Sequence, residues 1–120
     1  MGMHNFRELR IWQRSMNFVE RVYKISEGFP NEERHGLRAQ LRDCAISVPS
    51  NIAEGAGRST NKQFRRFLEF AMGSVNEAQT QLELAIRLKY LKCSDDEGLV
   101  GEGLQIYKMI LVFYNGLKDD

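Results

Sequence analysis

Between Phe64 and Ala85 an apolar residue returns every three or four positions: Phe64, Phe67, Leu68, Ala71, Val75, Ala78, Leu82 and Ala85. That spacing puts all of them on one face of an α-helix, whereas a strand would need alternation. Just upstream, Thr60-Asn61-Lys62-Gln63 has the form of a capping box, Thr at the cap and Gln three positions later. The pattern predicts a long helix from there to about Leu91. Gly73-Ser74 in its middle is costly on an exposed helix, roughly 1 kcal/mol for the glycine against alanine. Small residues at that point suggest a neighbouring helix packed close.

The same period organises the rest of the chain. Leu9, Trp12, Met16, Val19 and Tyr23 form one stripe on a first helix expected from about Phe6 to Ser26, and Ile11, Phe18, Val22 and Ile25 widen it. Glu27-Gly28-Phe29-Pro30-Asn31 breaks the pattern, since proline cannot continue a helix. Asn31 or a neighbour then caps a second helix, with Glu32 and Glu33 at its positive end and Leu37, Leu41, Cys44, Val48 and Ile52 on its core face. Pro49 lies within this run and predicts a kink near Ala45–Val48 or a break. Gly55-Ala56-Gly57-Arg58-Ser59 reads as a turn. Ser94-Asp95-Asp96-Glu97 opens a fourth helix with core positions Leu99, Ile106, Tyr107, Ile110, Phe113, Tyr114 and Leu117. Four helices with short connections give an all-α, antiparallel up-down-up-down four-helix bundle, one domain over residues 1–120.

The apolar stripes of the first and fourth helices look wider than a monomeric bundle needs, which points to an oligomer. At 120 residues, with 42% apolar and 28% charged residues, the chain is long enough for a core of its own. No run approaches the roughly 18 apolar residues that cross a bilayer, and the first residues lack the apolar core of a signal segment. The two cysteines, Cys44 and Cys93, lack C-x-x-C spacing, so both are expected reduced in a cytoplasmic protein.

Catalytic and metal-binding patterns are missing. His4 and His35 share no motif with a cysteine or with each other, so neither metal nor cofactor is expected. Ser50 and Ser74 lack the surroundings of an activated nucleophile, and Gly55-x-Gly57 lacks the strand and lysine of a phosphate loop. Two polar sets remain. Asn51 and Glu54 share one helix face, Ser74 and Glu77 another, and antiparallel packing across the 55–59 turn would join them in an interior network with Arg42 as the cation. Its expected role is structural: register and close packing.

The second set is basic. The net charge of +1 hides 12 Lys/Arg against 7 Asp/Glu in residues 1–66, and 5 against 9 in residues 67–120. Such a split suits an acidic partner, or unlike faces that match between subunits. Arg7, Arg10, Arg14 and Arg21 line one side of the first helix, and Arg34, Arg38 and Arg42 step by four along the second. Arg58, Lys62, Arg65 and Arg66 cluster where the third begins. Excepting Arg21 and Arg42, these are the candidate nucleic-acid contacts, since helix N-termini and arginines favour phosphate. Arginine outnumbers lysine 11 to 6, which suits bidentate phosphate contact and salt bridges alike.

Several longer motifs carry a resemblance. They are Phe6-x-x-Leu9-x-Ile11-Trp12, Phe29-Pro30-x-Glu32 and Leu37-x-x-Gln40-Leu41-Arg42. With them stand Ser47-Val48-Pro49-Ser50-Asn51-Ile52-Ala53-Glu54-Gly55 and Phe67-Leu68-x-x-Ala71-x-Gly73-Ser74-x-x-Glu77. Through them the chain resembles the bacterial four-helix bundle proteins encoded in intervening sequences of 23S ribosomal RNA genes; the last ~30 residues match only as a helix. The resemblance implies a homo-pentameric ring with no known enzymatic activity and no cofactor. It also implies kinship with the accessory variability determinant of diversity-generating retroelements, a basic pentameric barrel that binds reverse transcriptase and RNA. The near-neutral charge of this chain departs from that branch. The expected function is a non-enzymatic oligomeric bundle that binds structured RNA or an RNA-handling protein. The alternative is a protein–protein scaffold with no nucleic acid.

Overall fold

A computed structural model describes residues 4–91 and 98–118. The Cys93 thiol and the Ser94-Asp95-Asp96-Glu97 capping box lie outside the described residues. The fold is a four-helix bundle: α1 (Arg10–Ser26), α2 (Leu37–Ala56), α3 (Asn61–Arg87) and α4 (Leu99–Gly116), with no strand among the described residues. The body is a rod of 47 × 24 × 20 Å.

Contacts run in opposite order along each neighbouring pair. In α1 and α2, the His4 N–H donates to the Ala56 carbonyl at one end, and Arg42 meets Glu27 at the other. Between α2 and α3, Gly55 packs on Phe64 and Ser74 meets Ser47. In α3 and α4, Tyr114 bonds Glu69 while Gln79 bonds the Val100 carbonyl. The arm before α1 reaches α4 where His4 packs edge-on against Phe113. Neighbouring helices are therefore antiparallel.

The first expected helix divides. Asn5 caps a single 3₁₀ turn, Phe6–Glu8, Leu9 is extended, and α1 starts at Arg10. The core face of α1 is Ile11, Ser15, Phe18, Val22 and Ser26, whereas Leu9, Trp12 and Val19 are half-buried and Met16 and Tyr23 exposed. The stripe expected to lead is thus the outer one. Two serines explain the reversal. Ser15 folds its hydroxyl back onto the Ile11 carbonyl at 2.6 Å, and Ser26 does the same onto Tyr23 at 3.3 Å. Satisfied in this way, each serves as a small buried side chain.

α2 begins later than the Asn31 cap implied. Asn31–Glu33 makes a 3₁₀ turn, and Glu33 becomes the cap: one carboxylate oxygen accepts from the Leu37 N–H at 2.9 Å. The other accepts from the Tyr90 hydroxyl at 2.9 Å, tying the chain beyond α3 to this turn. Of the kink or break expected from Pro49, the break does not occur: α2 runs through it to Ala56. Val48 and Ile52, both wholly buried, hold the helix on either side, and each contributes about 1.5–3 kcal/mol by burial.

Thr60 caps α3 as expected, its hydroxyl accepting from the Gln63 N–H at 3.2 Å. α3 closes at Arg87 rather than near Leu91, with Lys89 in the left-handed region (φ 66°). Close packing falls at a different glycine from the one expected. A Cβ on Gly73 would meet no atom within 4 Å, while one on Gly55 would lie 2.8 Å from Phe64 Cδ1 and Phe67 Cβ. Ser74 is the small residue that faces a neighbour.

These two glycines give opposite predictions. Gly73→Ala should raise stability by about 1 kcal/mol through helix propensity alone. Gly55→Ala should lower it by about 1–3 kcal/mol, because the Phe64 ring and the Phe67 Cβ it meets are packed. Urea midpoints at unchanged m-value would check both.

Candidate functional site

Antiparallel packing brings the start of α1, the end of α2, the start of α3 and the end of α4 to one end of the rod. Arg7, Arg10, Arg58, Lys62, Arg65 and Arg66 all lie there. Lys62, Arg65 and Arg66 line a cleft of about 720 Å³ with Thr60, Gln63, Glu69 and Tyr114. Its walls are tied across helices. Arg65 donates to the Leu117 carbonyl at 2.9 Å and Asn61 to the Lys118 carbonyl at 2.8 Å, so the α3 start satisfies groups just beyond α4. The Tyr114 hydroxyl donates to Glu69 at 2.7 Å, and that bond pushes its titration up.

The other basic groups lie elsewhere. Arg14, one turn into α1, grips Glu102 of α4 with two N–H groups and touches the Met109 sulfur at 3.3 Å. Those bonds to Glu102 hold its guanidinium above the ordinary value. Arg34 precedes α2 instead of continuing a stripe along it, and it lies with Arg38 toward the opposite end of the rod. The expected basic set is therefore split, with six members gathered at one end.

The expected polar network forms only at its middle. The Asn51 amide donates to the Ser47 carbonyl at 2.8 Å and to its hydroxyl at 2.9 Å, and Ser74 donates to the same hydroxyl at 2.9 Å. Ser47, absent from the expected set, is the junction. Glu54 instead lies at the surface and pairs with Arg58 one turn on, at 2.7 Å. Glu77 is exposed beside the Cys44 thiol, at 3.9 Å. Burial first, and the Glu77 carboxylate second, push that thiol up and keep it protonated. Arg42 turns away to finish α1. It donates to the Tyr23 carbonyl, the Ser26 hydroxyl and Glu27, and lies 4.3 Å over the Tyr23 ring. A cation at a helix C-terminus is where the dipole favours it. Among the described residues no group of three His, Cys, Asp or Glu is placed to hold a metal, and no helix is long and apolar enough to cross a membrane.

Two grooves flank α1. One, of about 290 Å³, lies against α2 and is lined by Trp12, Met16, Val19, Ile46, Pro49, Ser50 and Ala53. The other, of about 480 Å³, lies against α4, with Leu9, Ile11, Met109, Val112 and Phe113 on its walls.

The class this geometry defines is an all-α four-helix bundle with a basic end. Residues 7–111 match the 23S rRNA-intervening sequence protein family, and the chain belongs to it. A similar fold occurs in the crystal structure of a Bacteroides thetaiotaomicron protein of unknown function from the S23 ribosomal protein family. The TM-score is 0.79 at 23% identity, over 87% of this chain and 97% of that one. No curated protein sequence matches the chain.

The carboxylates allow a direct check. Glu33→Ala should lower the melting temperature more than Glu54→Ala, since Glu33 caps α2 and holds Tyr90 while Glu54 has one exposed partner. The Leu37 N–H, then Tyr90, holds the Glu33 carboxyl below its usual range. A lowered folded-state value means the stabilisation is complete above the unfolded value and fades as pH falls through the folded one. The Glu33→Ala deficit should therefore shrink in melts taken at progressively acid pH. A deficit that stays constant down to acid pH would contradict the assignment.

Proposed function

We propose that this chain is a non-enzymatic bundle that assembles with copies of itself, a pentameric ring being the favoured form, and binds structured RNA with its basic end. The observation that carries the reading is the cleft between α3 and α4, where Lys62, Arg65 and Arg66 stand at the positive end of a 27-residue helix. Arg58, Arg7 and Arg10 lie at the same end. Guanidinium groups there already donate to carboxylate or carbonyl oxygens, and phosphate offers the same geometry with more charge. In a ring, each copy would present this end again, multiplying weak contacts. We read the protein as cytoplasmic, in keeping with the free Cys44 thiol.

A second reading, a protein–protein scaffold, is favoured by the α1–α2 groove. Trp12, Met16, Val19 and Ile46 leave apolar surface there that none of the described helices covers.

Both readings are measurable. A labelled RNA hairpin titrated over a salt series should bind more weakly as salt rises. Lys62→Glu/Arg66→Glu should weaken binding and flatten the log–log slope by about one for each phosphate no longer neutralised. No binding at low salt would remove the RNA reading. For assembly, light scattering should give a multiple of the 13.9 kDa chain, and Met16→Glu should reduce it. A monomeric wild-type protein would end the ring.

A further inference from the structure

Beside the basic cleft, α3 carries an aromatic strip at the surface: Phe67 is half-buried, its Cβ close against Gly55, and Phe70 is exposed. Phe67 and Phe70, one turn apart, set their rings 5.7 Å from each other at 87°. Each carries an arginine on its face. The Arg58 guanidinium carbon lies 4.7 Å from the Phe67 ring centre, and that of Arg66 lies 5.1 Å from Phe70. Phe70 is 46% exposed, a large apolar ring left in water.

We propose that Arg58, Phe67, Arg66 and Phe70 form a stacking strip for the unpaired bases of an RNA. The inference rests on the reading that the basic end binds RNA, and it specifies which part of the RNA is held there. Aromatic rings and guanidinium planes both stack on bases, whatever the sequence. In a duplex the base faces are already stacked on each other, so the strip selects loops, bulges and single strands. Charge agrees with position. A groove of about 220 Å³ lined by Arg58, Gln63, Arg66 and Phe67 adjoins the cleft of Lys62 and Arg65, sharing Gln63 and Arg66 with it. A base on the strip therefore leaves its phosphate beside two further cations. Among the described residues, the carboxylates beside the strip are Glu54, held by Arg58 at 2.7 Å, and Glu69, held by the Tyr114 hydroxyl and 3.8 Å from Arg66. Each already has a partner, which offsets its repulsion of phosphate.

The test separates bases from phosphates. An adenine strand of about ten nucleotides, and an abasic strand with the same number of phosphates, are titrated into the full-length protein by fluorescence anisotropy at low salt. The wild-type protein should prefer the strand with bases by about tenfold or more. Phe70→Leu keeps the apolar bulk and loses the π-face, so the preference should fall towards one while abasic binding stays. Arg66→Lys, which keeps charge and loses the plane, should lower it in part. Equal wild-type affinity for the two strands would overturn the strip and leave the RNA reading standing. Binding of neither strand, nor of a hairpin, would overturn both. A change in solution mass with Phe70→Leu would assign Phe70 to a subunit contact and also sink the proposal.

Discussion

The close approach of α2 to α3 at Gly55 is the constraint on which the rest of the bundle depends. Gly55 is wholly enclosed, with Phe64 and Phe67 standing where a side chain would be. Four residues lie between α2 and α3, so the two helices leave that contact in opposite directions with their register already fixed. One turn after another then follows from it. Ile52 and Val48 enter the same core as Phe64, Leu68 and Ala71, Ser47 finds Ser74, and Cys44 comes to Glu77. The same contact sets Phe67 beside Arg58 and so builds the surface of the basic end.

Arginine in this chain works as much on helix ends as on ligands. Arg42 finishes α1 by taking the Tyr23 carbonyl, and Arg65 takes the Leu117 carbonyl beyond α4. Both answer the same need: the last carbonyls of a helix have no partner within it. Arg14 joins α1 to α4 through Glu102, a forked geometry that a lysine would not reproduce. A count of cations therefore overstates the charge open to phosphate. What marks the basic end is the convergence of four helix termini, which gathers six cations although three of them already hold protein groups.

The helices were legible because periodicity survives almost any tertiary detail; the Thr60 cap and the break at Gly28–Pro30 were legible for the same local reason. What failed to show was settled by contacts between distant segments. The choice of the inner face of α1 turned on Ser15 and Ser26, which an apolar count passes over because their hydroxyls are satisfied within the helix. Glu33 looked like a first-turn acid, and only the distant Tyr90 shows that it also anchors the chain after α3. Glu54 and Glu77 share helical spacing with Asn51 and Ser74, yet spacing gives only the angle around the helix and does not say where the neighbour's wall ends. Of the expected basic residues, Arg34 and Arg38 lie toward the other end because α2 runs antiparallel to α1 and begins there, at Leu37, a boundary set by Gly36 and the Glu33 carboxylate.

The outer apolar stripe of α1 supplies the last step. Core packing explains Ile11, Phe18 and Val22, and in part Trp12 and Val19, which pack half-buried against the core; it gives no reason for Met16, 38% exposed, to be apolar. Trp12, Met16 and Val19 border the α2 groove, while Leu9 and Val112, the latter 72% exposed, border the α4 groove on the other side of the same helix. The two surfaces differ in the residues that line them and in size, about 290 Å³ against about 480 Å³. Under the self-assembly proposed above, copies that join one of these surfaces to the other associate head to tail, and such an association either closes into a ring or runs on as a filament.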